Sequence, residues 1–235
     1  MSEISARNSL KSWAKEVMNR LNEMEEIDYA GHKSFVIRIF STMLIYRSSN
    51  VKLVKYSKID IGKDATWNKI QKLYEKNNLN PVRLEEIDNE FFYDVIDFLV
   101  RFCESEYEYL DNMLAWLYQY LNINRTDNIN KDTQFFTDQY MVEYLVNESI
   151  IELEKNNIKN IFSIDPACGG GNFIVALIGK LYDSLNLTKK DYIEYVKKYI
   201  FGYDIDKNLA MICVINIYIK FLEMDAQNMA FNDMS

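Results

Sequence analysis

The stretch Phe162-Ser163-Ile164-Asp165-Pro166-Ala167-Cys168-Gly169-Gly170-Gly171-Asn172-Phe173 decides the fold that we predict for this chain. The pattern predicts a short buried strand, an acid at the carboxyl end of that strand, and a glycine turn that leads into a helix. Three of the chain's seven glycines lie here side by side, together with one of its two prolines. The residues before this stretch are mostly helical in pattern, and strand and helix patterns alternate after it.

The order of elements around the glycine turn predicts a β-α-β unit. The first strand covers Ile161 to Ile164, and a helix follows from about Asn172 to Leu185. A second helix covers about Lys189 to Tyr199, a second strand Ile200 to Asp204, and a last helix runs from Asp206 to about Glu223. Strands connected through helices in this way pair in parallel with a right-handed crossover.

The first 130 residues have the pattern of helices joined by short loops. Apolar residues from Leu10 to Met24 repeat at intervals of three and four, and Phe35 to Tyr46 is apolar on most faces, as in a central buried helix. Asp64 is placed as the N-cap of the next helix. Two more helices are predicted at Phe91 to Cys103 and Tyr107 to Leu121.

A polar segment without periodicity, Asn122 to Asp132, separates this helical region from the rest. We therefore predict an all-α domain at residues 1–130 and an α/β domain at residues 131–235. The second domain opens with a helix from about Asp138 to Glu154.

Aromatic side chains are dense between residues 91 and 120 and allow two interpretations. They could form a surface for stacking bases, or they could fill the core of a helical bundle. Their helical spacing and the lack of interleaved Lys or Arg favour the core. His32, the single histidine, has no partner at a recognisable metal or catalytic spacing and is predicted to be structural.

Composition narrows the classes of function. The net charge is −8 and the pI is near 4.9, whereas a stand-alone DNA-binding protein carries a basic face. No apolar run reaches the roughly 18 residues of a membrane span, and the N-terminus lacks a secretory signal. Three cysteines without Cys-x-x-Cys spacing argue against a disulfide framework or a zinc site. We expect a cytoplasmic protein with reduced thiols and no membrane partner.

Three glycine-loop chemistries compete for the turn, because bare backbone and a helix N-terminus suit an anionic group. A phosphate-cradling loop needs Gly-Lys-Ser or Gly-Lys-Thr, but Asn172 follows the last glycine. A dinucleotide fingerprint needs a small residue where Ile174 stands and an acid about 20 residues on, whereas Asp204 lies 39 residues after Asp165. The third chemistry is binding of a methyl donor.

Asp165 to Phe173 resembles the first motif of S-adenosylmethionine-dependent DNA adenine methyltransferases, Asp-Pro-x-x-Gly-[Ser/Thr]-Gly-x-[Phe/Leu]. Gly202-Tyr203-Asp204-Ile205-Asp206 resembles the second motif, and Gln134-Phe135-Phe136-Thr137 resembles the aromatic-Thr-Pro segment that precedes both. This order is that of the modification subunits of type I restriction systems and of related type II enzymes. The resemblance covers roughly Thr133 to Phe221.

The resemblance implies a truncated Rossmann-like domain that binds S-adenosylmethionine. It implies that Asp165 holds the amino group of the methionine moiety and that Asp204 accepts hydrogen bonds from the ribose hydroxyls. The backbone amides of Gly169 and Gly171 would close around the cofactor. Ile205 would pack on the adenine, and Phe136 and Thr137 would close the methionine end. The implied cofactor-binding residues are Gln134, Phe135, Phe136, Thr137, Asp165, Ala167, Gly169, Gly170, Gly171, Asn172, Asp204 and Ile205.

Two departures from the family pattern are tolerable: Gly170 replaces Ser or Thr, and Asp138 replaces a proline at the start of a helix. The catalytic Asn/Asp/Ser-Pro-Pro-aromatic tetrapeptide is missing, since Pro81 and Pro166 are the only prolines. We therefore predict no catalytic residue here and expect the front part of a methyltransferase. DNA would be reached through an absent C-terminal region or a specificity subunit, with restriction and specificity subunits as partners.

The last helix is apolar nearly all round from Leu209 to Leu222. Two strands cannot cover such a helix, so we predict either a large exposed apolar patch or its burial in a homodimer. Two alternatives stay open for the whole chain. It is a non-catalytic module that docks a partner subunit through its helical domain, or the same motifs serve a protein-glutamine or RNA methyltransferase.

Overall fold

Ten α-helices, one 3₁₀ helix and two strands make up the described part of the computed structural model, residues 3–24, 28–51, 56–105, 112–123, 137–156, 158 and 161–224. The chain divides into two compact units, Met1–Gln134 and Phe135–Ser235. The predicted boundary between residues 130 and 131 lies outside the described residues.

The first unit is helical. Its elements are α1 (Glu3–Glu23), α2 (Tyr29–Ser48), α3 (Lys58–Lys63), α4 (Ala65–Lys76), a 3₁₀ helix (Leu84–Glu86), α5 (Asn89–Glu104) and α6 (Met113–Ile123). Helix α2 packs against α4, α5 and α6, and α1 packs against α6. The central buried helix predicted from Phe35 to Tyr46 is thus confirmed, and it extends in both directions, from Tyr29 to Ser48.

Three buried polar side chains on α2 have hydrogen-bond partners. The Ser41 and Thr42 hydroxyls donate to carbonyls four residues earlier, at 2.8 and 2.9 Å. The buried Arg38 guanidinium donates to Gln71 and to the Asn80 carbonyl, and its carbon lies 4.1 Å from the ring centre of Tyr74. Desolvation by burial lowers the pKa of Arg38 to about 10. These bonds allow a charged residue inside an otherwise apolar bundle.

His32 joins the starts of two helices. Its Nδ1 lies 2.8 Å from the Asp28 carbonyl, and its Nε2 accepts from the Asp88 backbone N–H at 3.1 Å. Because Asp88 N is a donor, Nε2 must be the unprotonated nitrogen of a neutral ring. Asp88 itself caps α5 by accepting from Phe91 N. The predicted structural role of His32 is confirmed, as is the N-cap at Asp64.

The dense aromatic residues of this unit are mainly core. Phe35 and Phe92 stack with ring centres 5.4 Å apart, and Trp13 stacks on Phe98 at 4.1 Å. Aromatic pairs of this kind contribute beyond the area that they bury. Tyr93 is the exception, since half of its surface is exposed. The packing interpretation is therefore confirmed for the buried rings.

The second unit contains the parallel strand pair. Its elements are α7 (Gln139–Lys155), β1 (Ser163–Asp165), α8 (Asn172–Leu185), α9 (Lys189–Tyr199), β2 (Ile200–Gly202) and α10 (Lys207–Glu223). Ser163 pairs with Ile200 and Asp165 with Gly202. The bounds predicted for α8 and α9 are confirmed, while both strands are shorter than predicted. After β2, Tyr203 and Asp204 turn their polar groups to the glycine turn instead of continuing the strand.

Helices cover one face of this small sheet. Ile200 lies in a core with side chains from α7, α8, α9 and α10. Phe162 and Ile164 are exposed on the opposite face, so the prediction that the first strand is buried was wrong, because helices cover only one side of it. The buried members of the core are Val142, Val146, Ile150, Cys168, Ile174, Ile178, Leu181, Tyr192, Ile193, Val196, Ile200, Cys213 and Phe221. The described residues therefore form a mostly helical structure with a two-stranded parallel sheet. This agrees with the predicted combination of helices and parallel strands, but two strands alone do not establish a Rossmann-like domain.

Helix α10 is covered more completely than we predicted. Its side chains Leu209, Met211, Ile212, Ile215, Ile219 and Phe221 are buried. The exposed apolar patch predicted on this helix is absent, because neighbouring helices cover α10 and the prediction had considered only the two strands. A homodimer through this helix stays a prediction. None of the described helices, α2 and α10 included, is long and apolar enough to cross a membrane.

Replacing His32 by alanine should leave the Asp88 N–H without an acceptor inside the protein. His32 is 1% exposed, so removal of its ring breaks the bridging hydrogen bond and leaves a cavity, and the free energy of unfolding in urea should fall by about 1–3 kcal/mol. Lys69→Ala, an exposed change on α4, is the matched control and should stay within about 0.5 kcal/mol. Equal stability of the two variants would contradict the bridging role of His32.

Candidate functional site

The glycine turn, residues 166–171, adopts backbone conformations that favour glycine. Gly169 has φ 53° and Gly171 has φ 90°, both in the left-handed region. The Gly171 N–H donates to the Cys168 carbonyl at 2.8 Å, which closes the turn. Val175 N–H then donates to the Gly171 carbonyl at 2.8 Å and begins the hydrogen bonding of α8. The sequence Gly-Gly-Gly thus sets the direction in which α8 leaves the strand.

Two glycines also permit close packing beneath the turn. A Cβ on Gly171 would lie 2.6 Å from the Cys213 sulfur and 3.3 Å from the Cys213 Cα, so α10 contacts the turn directly. A Cβ on Gly202 would lie 2.5 Å from Ile174 Cδ1 and 3.2 Å from Cys168 Cβ. A side chain at either position would push these elements apart.

Asp204 faces the turn from the end of the second strand. Its Oδ2 accepts from the Gly169 N–H at 2.8 Å, and its Oδ1 accepts from the Asp206 N–H at 2.8 Å. An ionised carboxylate has about four lone-pair positions, so two further donors can still be accepted. Asp206 is occupied separately, since its Oδ1 accepts from Asn208 N at 2.9 Å and caps α10 as predicted.

Asp165 lies at the end of the neighbouring strand. Its Oδ1 accepts from the Ala167 N–H at 3.1 Å, and its carbonyl accepts from the Tyr203 N–H at 2.8 Å. The Tyr203 carbonyl in turn accepts from Cys168 N at 2.9 Å. The carboxyl ends of two parallel strands therefore bring Asp165 and Asp204 to the same turn. Ligands of open α/β sheets bind at this edge.

Two asparagines hold buried oxygens close to the turn. Asn172, the first residue of α8, is 8% exposed, and among the described residues its Oδ1 has no hydrogen-bond partner. Asn216 on α10 donates from Nδ2 to the Gly170 carbonyl at 2.9 Å, and its own Oδ1 is also buried without a described partner. We did not predict Asn216. Its signal was a single amide in the apolar run Val214 to Ile217.

Apolar side chains stand in solvent beside Asp204. Ile205 is fully exposed, and Tyr203 is 60% exposed. Burial of one such side chain stabilises a contact by about 1.5–3 kcal/mol. A ligand at this edge could therefore contact the apolar side chain of Ile205 and hydrogen-bond to the Asp204 carboxylate at the same time.

The structure brings together most of the predicted cofactor-binding residues. Those around the turn are Asp165, Ala167, Gly169, Gly170, Gly171, Asn172, Asp204 and Ile205. Gln134, Phe135 and Phe136 lie outside the described residues. Thr137 is described and exposed, and α7 begins at Gln139, so that Asp138 is the N-cap and not the first helical residue as predicted.

Comparison with known proteins defines the class. The family model described as N-6 DNA Methylase matches residues 110–234, more than half of the chain. The chain belongs to this family of methyltransferases. No curated protein and no solved structure matches it.

Gly171→Ala should destabilise the protein, since alanine at φ 90° is strained and its Cβ would overlap the Cys213 sulfur. We expect a loss of about 1–3 kcal/mol in the free energy of unfolding. Gly179→Ala is the matched control within α8, where the nearest outside atom is the mobile end of Lys220 at 3.2 Å. That variant should be unchanged or more stable by up to about 1 kcal/mol. A Gly171→Ala protein as stable as Gly179→Ala would contradict the packing described here.

Proposed function

We propose that this chain binds S-adenosylmethionine at the glycine turn, as the cofactor-binding portion of a DNA adenine-N6 methyltransferase. The observation that carries the proposal is the Asp204 carboxylate bonded to the Gly169 amide across two parallel strands. Membership of the N-6 DNA methylase family supports a methyltransferase. The identity of the cofactor and of the methylated base goes beyond that match.

The residues present suit the chemistry of this cofactor. Two open acceptor positions on Asp204 match the two ribose hydroxyls, and each hydrogen bond to a charged group contributes about 1.5–3 kcal/mol. That corresponds to roughly tenfold to a hundredfold in affinity per bond. The exposed Ile205 offers an apolar surface to an adenine ring.

Charge favours the same ligand. Asp165 and Asp204 place two carboxylates at one turn, which suits a cofactor that carries an ammonium and a sulfonium group. When bound, S-adenosylmethionine supplies an electrophilic methyl group on positively charged sulfur. The residues of this chain bind and orient the cofactor through backbone amides, two acids and an apolar surface.

The proposal is limited to cofactor binding. Transfer to a flipped adenine needs the Pro-Pro tetrapeptide, and the two prolines of this sequence, Pro81 and Pro166, are far apart. DNA would then be engaged through a further region or a specificity subunit, in a cytoplasmic restriction–modification or related defence system. The acidic net charge of −8 agrees with DNA contacts being made elsewhere.

Calorimetric titration with S-adenosylhomocysteine tests the proposal. The parent chain should bind, and Asp204→Asn should bind about tenfold to a hundredfold less tightly, because the amide removes the charge and an acceptor from the ribose site. Asp206→Ser is the matched control, since it removes an adjacent charge but keeps an N-cap oxygen for α10. Circular dichroism and thermal melting should show all three proteins folded.

Two outcomes contradict the proposal. One is the absence of binding heat in the folded parent chain, which would favour a module that docks a partner through its helical unit. The other is equal weakening by Asp204→Asn and Asp206→Ser, which would point to general charge and not to a specific ribose contact.

A further inference from the structure

Two cysteines from different elements meet beneath the glycine turn. Cys168 belongs to the turn and Cys213 to α10, and they are 7% and 4% exposed. Their side chains are close enough to share a hydrogen bond, the Cys168 sulfur also lies 3.7 Å from the Gly169 carbonyl oxygen, and both are free thiols. Their positions lie 45 residues apart with no recognisable spacing motif, which is why the sequence alone did not indicate a pair.

Glycines make room for both sulfurs. The Cys213 sulfur occupies the space that a Cβ on Gly171 would need, at 2.6 Å. The Cys168 sulfur lies 3.2 Å from the position of a Cβ on Gly202. The thiol pair, Cys168 and Cys213, is thus enclosed between the turn and the end of β2.

The two thiols differ in acidity. The hydrogen bond from Cys213 lowers the pKa of Cys168, against burial and the nearby Asp204 and Asp165 carboxylates, which raise it. The same hydrogen bond, together with burial, raises the pKa of Cys213 well above its ordinary value. Cys168 is therefore the more acidic thiol of the two, as the attacking cysteine is in pairs of an attacking and a resolving cysteine.

We propose that Cys168 and Cys213 form a reversible disulfide on exposure to a peroxide, and that this pair is a redox-modification site attached to the glycine turn. The Cys168 thiol gives up its proton as its sulfur attacks hydrogen peroxide, the O–O bond breaks, and the leaving hydroxide takes that proton, so that Cys168 sulfenic acid and water are formed. The Cys213 sulfur then attacks the Cys168 sulfur, the S–O bond breaks, and the leaving hydroxide takes the thiol proton to give water. Two thiols are oxidised and one peroxide is reduced to two waters.

The disulfide acts directly on the turn. Cys168 donates from its N–H to the Tyr203 carbonyl and accepts from Gly171 N, and the adjacent Gly169 N–H is bonded to Asp204. A sulfur–sulfur bond of about 2.05 Å is shorter than any non-bonded contact, so the turn and α10 must move together. That movement takes the Gly169 amide from its position against Asp204. This consequence for ligand affinity rests on the proposed function.

Peptide mapping of the whole chain by mass spectrometry tests the disulfide. After limited hydrogen peroxide treatment and digestion without reductant, a peptide linking Cys168 to Cys213 should appear, lighter by two hydrogens and cleaved by a dithiol reductant. Cys103 is the internal control, because burial raises its pKa to about 12 and it lies on α5 in the other unit. It should remain a thiol. Over-oxidation of Cys168 without a linked peptide, or oxidation of Cys103 at the same rate, overturns the proposal.

Calorimetry on the same samples tests the effect on the turn. The oxidised chain should bind S-adenosylhomocysteine at least about tenfold less tightly than the reduced chain, and reduction should restore the affinity. Cys213→Ser should abolish this response to peroxide, whereas Cys103→Ser should retain it. A linked peptide with unchanged affinity overturns the regulatory effect. If the reduced chain does not bind at all, the proposed function fails, while the linked peptide still decides the disulfide.

Discussion

The hydrogen bonds that continue the two-stranded sheet into the glycine turn are the constraint on which the second unit depends. Tyr203 N–H donates to the Asp165 carbonyl, Cys168 N–H to the Tyr203 carbonyl, and Gly169 N–H to the Asp204 carboxylate. The strands themselves are three residues long, and an isolated pair of that size is marginally stable in water. The regular sheet ends at Gly202, but these further hydrogen bonds fix Asp165 and Asp204 relative to the turn.

Packing supplies the stability that so short a sheet lacks. Helix α8 presses Ile174 against the position of Gly202, and α10 presses Cys213 against Gly171. Asn216 donates to the Gly170 carbonyl and satisfies a buried acceptor in the middle of the turn. Each contact reaches the turn from the core side, which leaves the ends of Asp165 and Asp204 at the open edge. The turn is therefore held rigidly by buried groups while its acids stay accessible.

Local signals in the sequence predicted the local parts of this arrangement. Periodicity and capping residues gave α8, α9 and the Asp64 cap, since these depend on residues a few positions apart. Other features depend on groups that are distant in sequence, so no local pattern predicts them. These are the ends of the strands, the covering of α10 and the contact between Cys168 and Cys213. The motif spacing located Asp204, but the bond from its carboxylate to Gly169 needed the register Asp165 to Gly202.

Charge at the turn limits what this edge can bind. A helix N-terminus with bare glycine backbone ordinarily favours phosphate, because its amides carry partial positive charge. Here the Gly169 amide already donates to Asp204, and Asp165 lies at the adjacent strand end. Two carboxylates beside the turn would repel an anion, whereas they attract a cation and accept hydrogen bonds from hydroxyl groups. The turn is therefore opposite in charge to a phosphate-binding loop, and this difference agrees with the positively charged cofactor that we propose.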